Sequence, residues 1–223
     1  MSNIKPLPGT EIYIDTKKRR VYTTNLLPGK THFMERLRRD QGKEFREWDP
    51  TRSKLAAAVM KGAPQVTIKK GDIILYLGIS HGYTASFISD IIGDEGIIFG
   101  VDSAPRVVRD ALLLSRERKN IIPILADASH LTTYLSRICA VDVLYQDVAQ
   151  KKQVDIFLEN CRICLKPGGM GFLAVKARSI DVKKPAKQLF EEARRRIEKE
   201  FKITDFRVLD PLEKDHCMIM IKK

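Results

Sequence analysis

The stretch from Asp72 to Asp102, DIILYLGISHGYTASFISDIIGDEGIIFGVD, constrains the fold more than any other. An apolar run of strand length over 73–77 leads into Gly78-Ile-Ser-His-Gly82. A helix-period segment follows, with Ala85, Ile88, Ile91 and Ile92 on one side. A second apolar run over 97–101 ends on Asp102. Strand, glycine turn, helix, strand and acid make the first half of a nucleotide-binding α/β domain. The glycines let the backbone approach a ligand where a Cβ would collide, and the helix N-terminus offers free N–H groups to an anion. The spacing is G-x-x-x-G, not the dinucleotide G-x-G-x-x-G. A shorter turn with a strand-end acid suits S-adenosylmethionine (AdoMet), which has a ribose but no pyrophosphate. It also suits the first βαβ unit of some other doubly wound protein.

The alternation continues downstream. Helix 104–119, with Pro105 near its start, precedes strand 121–126 and Asp127. Strand 141–146 ends at Asp147 and is followed by helix 151–165. Pro167-Gly-Gly169 breaks the chain before strand 171–177, and a long charged helix spans 183–201. Two last strands, 203–210 and 216–222, are joined through Pro211 with no helix between them. So brief a connection makes them antiparallel, because a parallel crossover needs about a dozen residues or more. A Rossmann-like sheet of seven strands, the last reversed, is the α/β architecture of class I AdoMet-dependent methyltransferases. Upstream, residues 9–25 alternate around a charged turn as in a hairpin, and residues 31–51 are charged and mixed. A small β-rich region over 1–51 is therefore expected before a methyltransferase domain over 52–223. Residues 52–61 read as a short helix stopped by Gly62-Ala-Pro64.

A chain of 223 residues can bury a full core, and no apolar run approaches a membrane span. A soluble cytoplasmic protein without membrane contact is the expectation. Cys139, Cys161, Cys164 and Cys217 fit reduced core residues. The C-x-x-C of Cys161 and Cys164 sits in a helical pattern with no second pair at zinc spacing, so no metal is expected. The net charge is +12, unevenly spread: 16 Lys/Arg against 7 Asp/Glu in 1–70, 6 against 10 in 71–150, and 18 against 11 in 151–223. Basic flanks around a mildly acidic centre favour a polyanionic partner, most often nucleic acid. The plainer reading is a Lys/Arg-rich surface.

Ligands of open α/β sheets bind beyond the carboxyl ends of the strands. Gly78, Asp102, Asp127, Asp147 and Lys176 fall there, and the reversed strand begins there with His216. Methyl transfer to a hydroxyl is an in-line displacement on an activated donor, so the protein mainly aligns the nucleophile and helps remove its proton. A lysine beside a carboxylate can orient the hydroxyl while the carboxylate favours the cationic sulfonium. Any one of these charges alone reads more simply as a surface ion pair.

Several blocks of the chain are recognisable in their wording. They are Asn25-Leu-Leu-Pro-Gly29, Arg46-Glu-Trp48, Arg52-Ser-Lys-Leu-Ala-Ala-Ala58, Leu75-Tyr-Leu-Gly78, Asn120-Ile-Ile-Pro-Ile-Leu125, Asp127-Ala128, the Val141–Gln150 segment VDVLYQDVAQ and the Lys176–Asp181 segment KARSID. In this order they resemble the fibrillarin family in its shorter archaeal form, without a Gly/Arg-rich extension. The resemblance implies an AdoMet-dependent 2′-O-methyltransferase acting on ribosomal RNA, and also transfer RNA. It places cofactor contacts at Tyr83, Thr84, Asp102, Ser103, Asp127, Ala128, Asp147, Val148, Ala149 and Gln150, beside the turn glycines Gly78 and Gly82 already read as a ligand cradle. It places a Lys-Asp-Lys-His catalytic set on Lys54, Asp147, Lys176 and His216. It further implies assembly with a box C/D guide RNA, a coiled-coil scaffold protein and a kink-turn-binding protein. The target is then selected by pairing with the guide, and the chain carries no base-reading module.

Two departures stand out. The family's Ser-Gly-Thr-Thr turn reads His81-Gly-Tyr83-Thr84, and its Glu-Phe after the second strand reads Asp102-Ser103. The shorter acid lengthens the ribose contact, and Ser103 removes an aromatic edge that Tyr83 is expected to restore. The rival readings are a class I methyltransferase of a small molecule or protein, and a weakly active structural subunit.

Overall fold

The computed structural model describes residues 4–63 and 66–223. The N-terminal part is a five-stranded antiparallel sheet of β1 (Ile4–Pro6), β2 (Ile12–Asp15), β3 (Arg20–Thr24), β4 (Leu37–Asp40) and β5 (Lys43–Trp48), ordered β1-β2-β3-β5-β4. The hairpin expected over 9–25 is β2–β3. Residues 31–51 hold a second hairpin, β4–β5, which their charges concealed. Its inward positions include Arg46, a residue that ordinarily marks a solvent face.

Helix α1 (Lys54–Met60) follows; Pro64, part of its expected stop, lies outside the described residues. The body then runs β6 (Ile73–Leu77), α2 (Tyr83–Ile92), β7 (Ile97–Asp102), α3 (Pro105–Glu117), β8 (Ile121–Leu125) and β9 (Val141–Gln146). It ends with α4 (Gln153–Cys164), β10 (Leu165–Lys176), the one-turn α5 (Ala177–Ile180), α6 (Ala186–Glu198), β11 (Lys202–Val208) and β12 (His216–Lys222). The sheet order is β11-β12-β10-β9-β6-β7-β8. β12 lies antiparallel between β10 and β11, while β10, β9, β6, β7 and β8 are mutually parallel. The seven-stranded sheet with a reversed last strand is thus as expected. Pro167-Gly168-Gly169 does not precede β10 but lies within it, as an irregularity in its pairing with β9 between Leu165 and Met170.

Two apolar cores flank the large sheet. One joins Ile12, Val21 and Trp48 of the small sheet to α1 and α2, with the Trp48 ring stacked on Phe87 at 5.1 Å. The other lies under α4 and α6. Cys161, Cys164 and Cys217 are buried free thiols, but Cys139 is exposed in the loop before β9 and is no core residue. Among the described residues no helix is long and apolar enough to cross a membrane.

Candidate active site

From β6 the chain steps outward to β7 and β8, then returns to place β9 on the other side of β6. The carboxyl ends of β6 and β9 therefore flank the switch point, where open α/β sheets bind ligands. Leu77 O accepts the Asp147 N–H at 2.9 Å, drawing the two strand ends together. Gly78 is required here: its φ is +83°, and a Cβ would stand 2.5 Å from Asp147 O.

α1 reaches this rim from the side. Ser53 caps it with an extended backbone, its Oγ accepting from Ala56 N–H at 3.4 Å and from Thr84 Oγ1 at 3.0 Å. Lys54 thus sits in the first turn, where the helix dipole disfavours a cation. Asp147 offsets this, with Nζ–Oδ2 at 3.0 Å. Burial works against the Lys54 charge, but the Asp147 carboxylate more than compensates, holding the ammonium above its ordinary range.

Lys176 ends β10, directly opposite His216 in the register with β12. Its backbone is clamped by a buried amide: Gln153 Oε1 accepts the Lys176 N–H at 2.9 Å, and Gln153 Nε2 donates to Lys176 O at 3.1 Å. Lys214 O accepts from His216 Nδ1 at 2.7 Å. Because a carbonyl only accepts, Nδ1 carries the hydrogen, leaving Nε2 with its lone pair in the neutral ring. Burial pushes His216 below its ordinary value; Lys54 and Lys176 push the same way, and the Lys214 carbonyl and Asp147 oppose them.

Lys54, Asp147 and Lys176 line one cavity of about 840 Å³, with His216 on the next strand, opposite Lys176. That volume lies high in the range of about 300–1,000 Å³ usual for ligand sites. Gly78, Tyr83, Thr84 and Ala149 share the wall. Gly82 lies between the lining residues His81 and Tyr83, and Val148 between Asp147 and Ala149; Gln150 follows Ala149. On the neighbouring strands, Asp102 ends β7 and Ser103 follows it, while Asp127 and Ala128 follow β8. Asp102 braces the turn, accepting from Ser80 N–H at 3.0 Å and Ala104 N–H at 3.1 Å. Asp127 takes Ser129 N–H and Oγ at 2.8 Å each, and Gln150 Nε2 at 3.4 Å.

Tyr83 does not supply an aromatic edge beside Asp102. Its ring packs edge-on to Phe33 and Phe87 at 5.3 and 5.2 Å, and its hydroxyl accepts from Asp49 N–H at 3.2 Å. As the first residue of α2 it faces the small sheet, not β7. His81 pairs with Asp110 of α3 through Nδ1–Oδ2 at 2.7 Å. The switch-point glycine and the start of α2, which has no side-chain cap, still form a cradle suited to the amino-acid end of AdoMet.

Sequence reasoning passed over three residues. Gln153 shows only as a polar residue opening an apolar helix pattern. Glu213, on the β11–β12 loop, is half-buried; burial and Asp147 raise its carboxyl above the ordinary range, against Lys54 and Lys176. Arg52 lines the cavity two residues before Lys54.

A family model described as Fibrillarin matches residues 7–223. The fibrillarin-like rRNA/tRNA 2′-O-methyltransferase of Thermococcus onnurineus is 42% identical over 217 residues, covering 97% of this chain and 96% of that protein. The crystal structure of Aeropyrum pernix fibrillarin with natively bound S-adenosyl-L-methionine superposes with a TM-score of 0.86 at 42% identity, covering 99% of this chain and 100% of the other. The fibrillarin chain of a fibrillarin/Nop5p complex gives 0.83 at 36% identity, covering 98% and 96%.

Proposed function

The chain belongs to the fibrillarin family, and on that premise we propose that it is the catalytic subunit of a box C/D guide ribonucleoprotein, transferring a methyl group from AdoMet to ribose 2′-hydroxyls of ribosomal and transfer RNA. One observation carries the reading: the Lys54–Asp147 pair at 3.0 Å shares a switch-point cavity with Gly78 and Lys176, and His216 stands opposite Lys176 on the next strand.

When bound, AdoMet supplies a methyl group already activated on a sulfonium. Gly78, the N–H groups opening α2, Thr84 and the Asp147–Gln150 segment receive it, with Asp102, Ser103, Asp127 and Ala128 on its nucleoside side. Lys54 holds the Asp147 carboxylate, whose charge favours the sulfonium. Lys176, its backbone fixed by Gln153, orients the acceptor hydroxyl in line with the methyl. His216, neutral with Nε2 open and paired across the strands with Lys176, takes the hydroxyl proton. The functional division is an N-terminal region over 1–51, which carries the small sheet from Ile4 onward, and a catalytic domain over 52–223. A coiled-coil scaffold protein and a kink-turn-binding protein complete a cytoplasmic particle, and the guide selects the nucleotide.

Reconstitution with guide RNA, target RNA, scaffold and kink-turn protein tests this by mapping methylated riboses. Methylation at the guide-specified ribose, with almost none when the guide is withheld, is expected. A particle that leaves the RNA unmodified, or equal site-specific activity without a guide, would overturn the reading.

A further inference from the structure

We propose that Arg52 is a substrate-positioning residue that binds the RNA phosphodiester next to the ribose being methylated, on a shelf built by Tyr83. This rests on the reading above and adds a contact that the catalytic set does not contain.

Arg52 is the ordered cation at the lip of the catalytic cavity. Its guanidinium lies 4.2 Å over the Tyr83 ring, and Nη1 donates to Phe33 O at 3.3 Å. Stacking and one carbonyl fix the plane of the fork without neutralising it. Among the described residues no carboxylate pairs with it, whereas Arg20, Arg39 and Arg178 are held by Glu47, Glu44 and Asp215. Nearby acids have other partners: Asp49 Oδ1 takes the Thr51 N–H and hydroxyl, and Glu35 pairs with the buried Arg46. Tyr83 provides the shelf and is itself held by Asp49 and Phe87.

A planar, unneutralised fork in a fixed orientation is what a phosphate oxygen pair recognises. Arg52 shares its cavity with Lys54, Asp147 and Lys176, so an anion on it enters the same cavity as the reacting group. In RNA the 2′-hydroxyl and the 3′-phosphate hang from adjacent ribose carbons. A site that receives the hydroxyl therefore has the phosphate close at hand. Arg52 and Tyr83 also form the ridge between this cavity and a second recess of about 310 Å³, whose rim carries the exposed Arg36. The recess is also lined by Glu35, Glu47 and Asp49, of which Glu35 and Glu47 are held by Arg46 and Arg20.

The test uses the reconstituted particle and compares wild type with Arg52→Ala, Arg52→Lys and Tyr83→Thr. Charged hydrogen bonds contribute about 1.5–3 kcal/mol, so Arg52→Ala should raise KM for target RNA about tenfold or more, with kcat within about twofold. Calorimetry should show AdoMet affinity unchanged. The log–log salt slope of target binding should shrink by about 0.7–0.9, one phosphate's worth. Arg52→Lys should restore the slope but only part of the KM, and Tyr83→Thr should raise KM by a smaller factor. An Arg52→Ala particle with unchanged KM and slope sinks the proposal, as does a matching loss of AdoMet affinity. An inactive wild-type particle sinks the functional reading as well, which keeps the two failures apart.

Discussion

Helix α2 separates two clusters of charge built from remote parts of the chain. At its first turn lies the rim of Lys54, Asp147, Lys176 and His216. Further along, Asp90 anchors a knot with Arg46 of β5, Glu35 before β4 and Arg118 after α3. In the knot, Asp90 Oδ1 takes Arg118 Nη1 at 2.7 Å and Leu26 N–H at 3.1 Å, while Oδ2 takes Arg46 Nη1 and Thr23 Oγ1, each at 2.7 Å. The Arg46 and Asp90 side chains are 0% exposed. On the rim the Lys54 and Asp147 side chains remain 23% and 19% exposed, joined by one contact. The groups are alike in kind, but the Asp90 carboxylate spends both oxygens on four partners away from solvent, while the Lys54–Asp147 pair stays open to a ligand. Access, more than charge, separates a clamp between layers from a reactive site.

That contrast breaks most sharply at Lys176. Lys176→Ala should slow methyl transfer by about 10²–10⁴-fold, with AdoMet affinity within a few-fold and thermal stability unchanged. Single-turnover kinetics and calorimetry check it; lost AdoMet binding would move Lys176 to the cofactor.

Asp90→Ala should behave in the opposite way. Removing the shared carboxylate leaves the buried Arg118 without an acidic partner and Arg46 with Glu35 alone, and should cost about 3–5 kcal/mol in denaturant titration, while the folded fraction keeps its kcat. A loss below about 1 kcal/mol would mean that the knot is not the clamp described here.

Gln153→Ala tests the boundary between the two roles, because a buried, saturated side chain there serves a reactive one. It should lower kcat roughly tenfold by loosening Lys176, at constant AdoMet affinity. An equal fall in kcat and AdoMet affinity would show general damage instead.

The smallest effect is in pH. With His216 depressed, its imidazole stays neutral down to below about 6.5, the ordinary histidine value. Activity should therefore hold as pH falls through 6.5 and drop only at a lower pH, and His216→Gln should remove that limb. The unfolded chain binds the proton more readily, so the histidine's contribution is complete above about 6.5 and is lost as pH falls through the depressed value. His32, also depressed by burial and by Arg118 and Arg46, adds in the same direction. A rate–pH profile with an acid limb above 6.5 would contradict this assignment.

Periodicity and punctuation made most of the large sheet legible. Gly78, Pro105 and the alternation from residue 72 onward are local signals, and β6, α2, β7, β9 and β12 fall where they predict. The second hairpin of the small sheet was not legible, because Arg46 reads as a solvent residue until Glu35 and Asp90, 11 and 44 positions away, are brought to it. Tyr83 was misread for a related reason: its chemistry was evident, but not the side of α2 on which its ring would find Phe33 and Arg52.

By itself the sequence determined which residues could react and on which strand ends they fall, since strand, turn and helix are written in patterns a few residues long. Only the tertiary structure decided which charges keep a free valence. Insertion of β12 beside β10 brings His216 opposite Lys176, and the clamp from Gln153 fixes that lysine. The capping of α1 aims Lys54 at Asp147. Burial and hydrogen-bond saturation are properties of neighbours in space, and those neighbours come from positions that no local pattern connects.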